Sequence, residues 1–173
     1  HHRTPMNRTT LFAFLALFTG LSATAQHAVI HYAYGPFATT GDAAYIVEND
    51  RIHQACGPYG SKGPCLFVID GEEVYRSADT FGSRGNAAFR IEGEKVFRCS
   101  GGFCTKGPCV LLLEKHKIFR ADGAFCTKGD GAFVLDGDTV FIGEGPFCNK
   151  GDAIFRIQGE VSMTALLAIL ALW

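Results

Sequence analysis

The phrase GGFCTKGPC begins at residue 101, GAFCTKGDG at 123 and GPFCNKGDA at 145. Each begins 22 residues after the one before, and the same register runs back through copies starting at Asp79, Gly57 and Gly35 without insertion or deletion. Counted from those starts, position 3 is always aromatic (Phe37, Tyr59, Phe81, Phe103, Phe125, Phe147) and position 7 is always glycine, from Gly41 to Gly151. Position 11 is Tyr45, Phe67, Phe89, Leu111, Phe133 and Phe155, and position 18 is Ile52, Val74, Val96, Ile118 and Val140. A fixed period of this length restricts the chain to repeat architectures, in which each unit buries its apolar face against its neighbours.

Within a copy the apolar period is 2, the period of a strand. In AAFRIEGEKVFR (87–98), Ala87, Phe89 and Ile91 share one face and a turn falls at Gly93-Glu94. Pairing Ile91 with Val96 sets Glu92 opposite Lys95, and the same offset sets Glu48 opposite Arg51 and Glu114 opposite Lys117. Opposite charges facing across two strands favour that register. Gly93 fits a type II′ turn and Asn49-Asp50 a type I′ turn, whereas Lys115-His116 is a poor turn. Each copy therefore reads as strand, tight turn, strand and a looser link, and no amphipathic helix is expected beyond the leader. At the ends, AVIHYAY (28–34) aligns with a second strand, Ile30 falling where Ile52 does, and DAIFRIQGE (152–160) with a first strand. The two halves complement each other, within one molecule or between copies in a homo-oligomer.

The fold class is all-β, with two ways to stack the copies. In a β-solenoid, equal positions lie one strand spacing apart, about 4.8 Å; in an antiparallel hairpin meander or closed barrel they lie about twice as far apart. Strict register, the glycine columns and a Ser/Thr/Asn column (Thr39 to Asn149) favour the solenoid. A basic column at position 6, Lys62, Arg84, Lys106, Lys128 and Lys150, argues against it, because like charges that close repel.

Residues 1–25 read as upstream residues and a secretory signal peptide. Asn7-Arg8 precedes an apolar run from Leu11 to Leu21 and then Ala23-Thr24-Ala25, an A-x-A cleavage pattern. The β-repeat domain is 26–160. The apolar tail 161–173 is too short to span a bilayer, and is compatible with a buried segment, a membrane-associated or sorting tail, or a shifted reading frame. Export makes the protein secreted, periplasmic or surface-borne. It also makes the cysteines, Cys56, Cys65, Cys99, Cys104, Cys109, Cys126 and Cys148, disulfide candidates. Seven is odd, so one thiol is expected free or joined to a partner. Cys104, Cys126 and Cys148 share position 4, which suggests stapling of successive loops.

The unit G-x-F-x-x-x-G-x-A-x-F-x-I-x-G-x-x-V-[FY]-R, over residues 28–160, resembles a group of short secreted bacterial tandem β-repeat proteins. The resemblance implies export and an all-β repeat and carries no catalytic residue across. The Cys-Thr-Lys-Gly loops depart from the Ser/Thr-rich loops of that group. Choline-binding repeats are rejected: they need stacked Trp and Tyr, and the one Trp here, Trp173, lies outside the array.

A formal net charge of −1 gives no polyanion-wide signature, so nucleic acid is not an expected partner. The sequence contains no G-x-S-x-G, H-E-x-x-H or P-loop, and Asp130, Asp136 and Asp138 match no calcium loop. His31 and His53 share position 19 and could form a surface copper or zinc pair, but they more simply replace aromatics at one end of a stripe. No catalytic residue, metal site or cofactor is expected. The function expected is an exported structural or cell-surface repeat protein, with possible self-assembly. The alternative is an exported binding module that uses the basic column or exposed aromatics to hold an anionic glycan or a protein.

Overall fold

A computed structural model of the chain describes residues 26–173; the signal-peptide expectation falls on residues outside that range. Twelve strands follow one another: β1 (His27–Tyr34), β2 (Thr39–Glu48), β3 (Arg51–Cys56), β4 (Ser61–Asp70), β5 (Glu73–Ser77), β6 (Arg84–Glu92), β7 (Lys95–Ser100), β8 (Thr105–Glu114), β9 (Lys117–Asp122), β10 (Thr127–Asp136), β11 (Thr139–Glu144) and β12 (Asn149–Gly159). One helix, α1 (Met163–Leu170), closes the chain. Each strand pairs antiparallel with the next, and β1 pairs with β12, so the sheet is a closed barrel. The solenoid favoured by the regular columns gives way to the meander. A barrel of identical hairpins demands the same register, and it holds the position-6 cations two strands apart instead of one, which removes the repulsion that a solenoid would impose.

The hairpin register is the expected one. Val47 faces Ile52 and Ile91 faces Val96, with Glu48 opposite Arg51, Glu92 opposite Lys95 and Glu114 opposite Lys117. The terminal half-repeats meet in the same register, Ile157 opposite Ile30, so the seam is a sixth hairpin without its turn. The first turn residue is left-handed in every hairpin: Gly71, Gly93 and Gly137, and also Asn49 and Lys115. Asp50 does not share that conformation, so the Asn49-Asp50 turn is not type I′, which needs it at both central residues.

Between copies the ladder is bulged. In β7–β8, Val96 faces Leu111 and Phe97 faces Cys109, so Val110 has no partner, and the same slip recurs around the barrel. The position-7 glycines sit where the bulged strand presses on the preceding one. A β-carbon on Gly85 would lie 2.8 Å from the Arg76 carbonyl oxygen, and one on Gly107 3.2 Å from that of Arg98. Close backbone approach is what keeps this column glycine.

Positions 11 and 18 line the lumen. Ile30, Ile52, Val74, Val96, Ile118 and Val140 are fully buried there with Phe67, Phe89, Phe133 and Phe155. A 12-stranded wall is wider than these side chains can fill, and α1 fills the remainder. Ala165 to Leu170 are buried among the wall residues. Ser162 caps the helix, its hydroxyl accepting from the Ala165 amide at 3.1 Å. The apolar tail thus lies inside the barrel. It lacks an amphipathic pattern because wall surrounds it on every side; a helix apolar all round is a buried one.

Candidate binding face at the loop end

The barrel has two unlike ends. Tight hairpin turns close one. At the other, the links between copies fold positions 1–4 into a turn, with Ala38, Gly60 and Cys148 amides donating to the carbonyls of Gly35, Gly57 and Gly145. Position 4 is left-handed in every link (Ala38, Gly60, Gly82, Cys104, Cys126, Cys148). A turn followed by a left-handed residue pushes its third side chain outward. That residue is the aromatic. Phe37, Tyr59, Phe81, Phe103, Phe125 and Phe147 stand 76–97% exposed in a ring around this rim. Large aromatics normally supply core energy, and six left largely in water at one end mark an interaction surface.

The loops are braced by clusters of small residues. Each position 4 packs between positions 9 and 21 of the copy before it, as in Ala153–Ala33–Ala38, Ala87–Cys99–Cys104 and Cys109–Ala121–Cys126. A disulfide forms wherever two of the three are cysteine: Cys99–Cys104 (Cα–Cα 4.9 Å) and Cys109–Cys126 (5.0 Å). Cys65 shares its cluster with Ser77 and Gly82, and the Cys148 thiol occupies the space left by Gly131 and Gly143. Both are buried and unbridged, and burial pushes both thiols up from the ordinary value. Cys56 is free and exposed. The structure therefore bridges four of the seven cysteines, and the loop-to-loop staple among Cys104, Cys126 and Cys148 does not form: equal positions lie two strands apart.

The basic column runs along the outer wall and is fully engaged. Each cation reaches diagonally over an intervening strand to the acid at position 14 of the preceding copy. The pairs are Lys62–Glu48 (2.8 Å), Arg84–Asp70 (2.6 Å), Lys106–Glu92 (3.1 Å), Lys128–Glu114 (2.6 Å) and Lys150–Asp136 (2.9 Å). On the way, Arg84, Lys106, Lys128 and Lys150 cover the rings of Tyr75, Phe97, Phe119 and Phe141 at 3.6–4.6 Å from the centroid. At the seam the corresponding residues are Thr40 and Gln158, both uncharged. The bond from Lys62 holds the Glu48 carboxyl below the ordinary carboxylate range. His53 is buried with Nδ1 3.2 Å from the Gly63 carbonyl.

A second set of cations is free. Arg76, Arg98 and Arg120 occupy position 20 on β5, β7 and β9, at the mouth inside the aromatic ring. Arg76 and Arg98 line one depression of about 360 Å³, and Arg98 and Arg120 line an adjoining one of about 180 Å³; Ala171 and Leu172, just past α1, border both. Among the described residues none of the three makes an ion pair or a side-chain hydrogen bond; Arg76 lies 6.0 Å from the centre of the Phe67 ring. The sequence signal for this row is an aromatic-Arg ending after Val or Ile in three copies, VYR (74–76), VFR (96–98) and IFR (118–120).

Comparison with protein-family models, with curated proteins and with solved structures finds no match for this chain.

Proposed function

We propose that the protein is an exported, non-catalytic binding module that engages an extracellular glycan or protein through the loop end of its barrel. The observation that carries this reading is the ring of six aromatic side chains, each more than three-quarters exposed on a braced loop. The two disulfides fit the oxidising environment that export implies. Bracing also favours binding, because loops already held in place lose little freedom when a partner arrives.

The test is retention on immobilised polysaccharides and on the envelope of the producing cells. Replacing Phe37, Tyr59, Phe81, Phe103, Phe125 and Phe147 by Ser is expected to abolish retention and to leave the thermal midpoint unchanged, since none of the six is packed. Equal retention of the variant would remove the reading. Protein recovered from the medium should begin at Gln26; recovery only from the cytoplasm would remove export from it.

A structural, self-assembling role is the second reading, and the seam favours it. The β1–β12 contacts that close one barrel are the contacts two copies would exchange to join. Sedimentation at rising concentration, with a species larger than one chain, is the outcome this reading requires.

A further inference from the structure

The loop end divides into two unlike halves. On one, Arg76, Arg98 and Arg120 are each followed five residues later by a ring aromatic, Phe81, Phe103 and Phe125. Both disulfides lie here: Cys99 adjoins Arg98, Cys104 adjoins Phe103 and Cys126 adjoins Phe125. The acids on this half are Asp79, Asp122 and Asp130, the last across the β9–β10 bulge from Arg120, and none makes an ion pair among the described residues. Asp79 accepts from the Phe81 and Ser83 amides and Asp122 from the Gly123 amide. On the other half stand Phe147, Phe37 and Tyr59, and the exposed acids Asp42, Glu144 and Asp152 make no ion pair among the described residues. Position 20 there is Ile142, Tyr32 and Gln54, with no cation.

We propose that the β5–β9 half of the loop end is a site for an acidic glycan, a chain carrying carboxylate or sulfate groups, with Arg76, Arg98 and Arg120 as its anion ligands. This rests on the binding-module reading and names the ligand class. Guanidinium forks take carboxylate and sulfate groups with paired hydrogen bonds. Exposed aromatic faces pack on the apolar faces of sugar rings. Equal positions lie two strands apart, about 10 Å, so the cations and the aromatics form two parallel rows of the same pitch. A receptor with a repeating pitch fits a linear polymer with repeating charge. Only this half carries cations at position 20, which holds such a chain at β5–β9. The lysine column does not compete, since every member is committed to a carboxylate.

The experiment uses the full secreted chain, with Cys56→Ser to exclude disulfide-linked dimers, and measures binding to polygalacturonate, to fully methyl-esterified polygalacturonate and to a single-stranded oligo-dT. Expected is binding to polygalacturonate that weakens as salt rises and falls at least tenfold on the methyl ester. The triple variant R76Q/R98Q/R120Q should lose at least tenfold while K62Q/K106Q/K128Q stays within about twofold. R76K/R98K/R120K, which keeps the charge, should fall between wild type and the Gln variant. F81S/F103S/F125S should lose affinity and F37S/Y59S/F147S should retain it. Greater loss from the lysine variant than from the arginine variant, equal loss from the two aromatic sets, or tighter binding to oligo-dT would each overturn the site. Aromatic-dependent binding to the methyl ester that the arginine variant does not change would overturn it as well, yet leave the binding-module reading standing. No aromatic-dependent binding to any glycan or envelope would remove both.

Discussion

The two rows of cations come from the same 22-residue unit and differ in almost every physical respect. The position-6 column crosses the outer wall, each member bonded to a carboxylate and most resting on an aromatic ring. The position-20 row stands at the mouth without a partner, over the end of α1. A paired surface cation contributes modestly to stability, about 0–1 kcal/mol, and has little field left for a ligand. An unpaired row contributes nothing to holding the wall and keeps its charge available. A basic column in a sequence is therefore not by itself a ligand site: what matters is whether the fold supplies the counter-charge.

The largest effect falls on what both rows share. Leu167→Ala in the centre of α1 should cost about 2–5 kcal/mol in urea unfolding, the range for opening a cavity in a packed core; a loss below about 1 kcal/mol would mean that the helix does not fill the lumen. Removing the bridge with Cys109→Ala and Cys126→Ala should cost about 3 kcal/mol, as for a loop of similar length, and should weaken the arginine half of the rim more than the acidic half. Cys56→Ala, an exposed thiol on the other half, should by contrast leave the arginine half untouched. A smaller effect separates the rows directly. A double-mutant cycle on Lys128 and Glu114 should show about 0.2–1 kcal/mol of salt-sensitive coupling, whereas Arg98→Gln should leave the unfolding midpoint unchanged. A destabilising Arg98→Gln would mean that the row has a structural partner and the contrast fails. The smallest effect is in pH. Glu48 is held below the ordinary carboxylate value of about 4.3. Its contribution is therefore present above that value and is lost as pH falls through the depressed one. Lys62→Gln should flatten this part of the acid unfolding profile, and an unchanged profile would show that the pair does not act.

Much of the wall was legible in the sequence. Alternation gave the strands, and the charge offsets Glu92/Lys95 and Glu114/Lys117 gave the hairpin register, because both depend on neighbours within one copy. The acids named for that register form no ion pair with Arg51, Lys95 or Lys117: Glu48, Glu92 and Glu114 reach across to the position-6 cations instead, a contact between copies that depends on the slant of strands in a closed wall. The aromatic column at position 3 was visible, but not that it stands in water while position 11, aromatic in all copies but that of Leu111, turns to the lumen. The difference lies in the link geometry, where a turn followed by a left-handed residue throws position 3 outward.

The sequence by itself determined the repeat, the strand pairs, the places of the turns and the complementarity of the two end strands, because local spacing and side-chain chemistry specify each of these. The tertiary structure alone decided the rest. It chose a closed barrel over a solenoid, since closure satisfies both edge strands at once and separates the like charges. It placed the apolar tail in the lumen, since only a finished wall creates the space that an all-apolar helix fills. It decided which cysteines meet, since the clusters join positions 4, 9 and 21 across copies. And it divided the cations into those that hold the wall and those left free at its mouth, since that depends on which carboxylates the closed wall brings within reach.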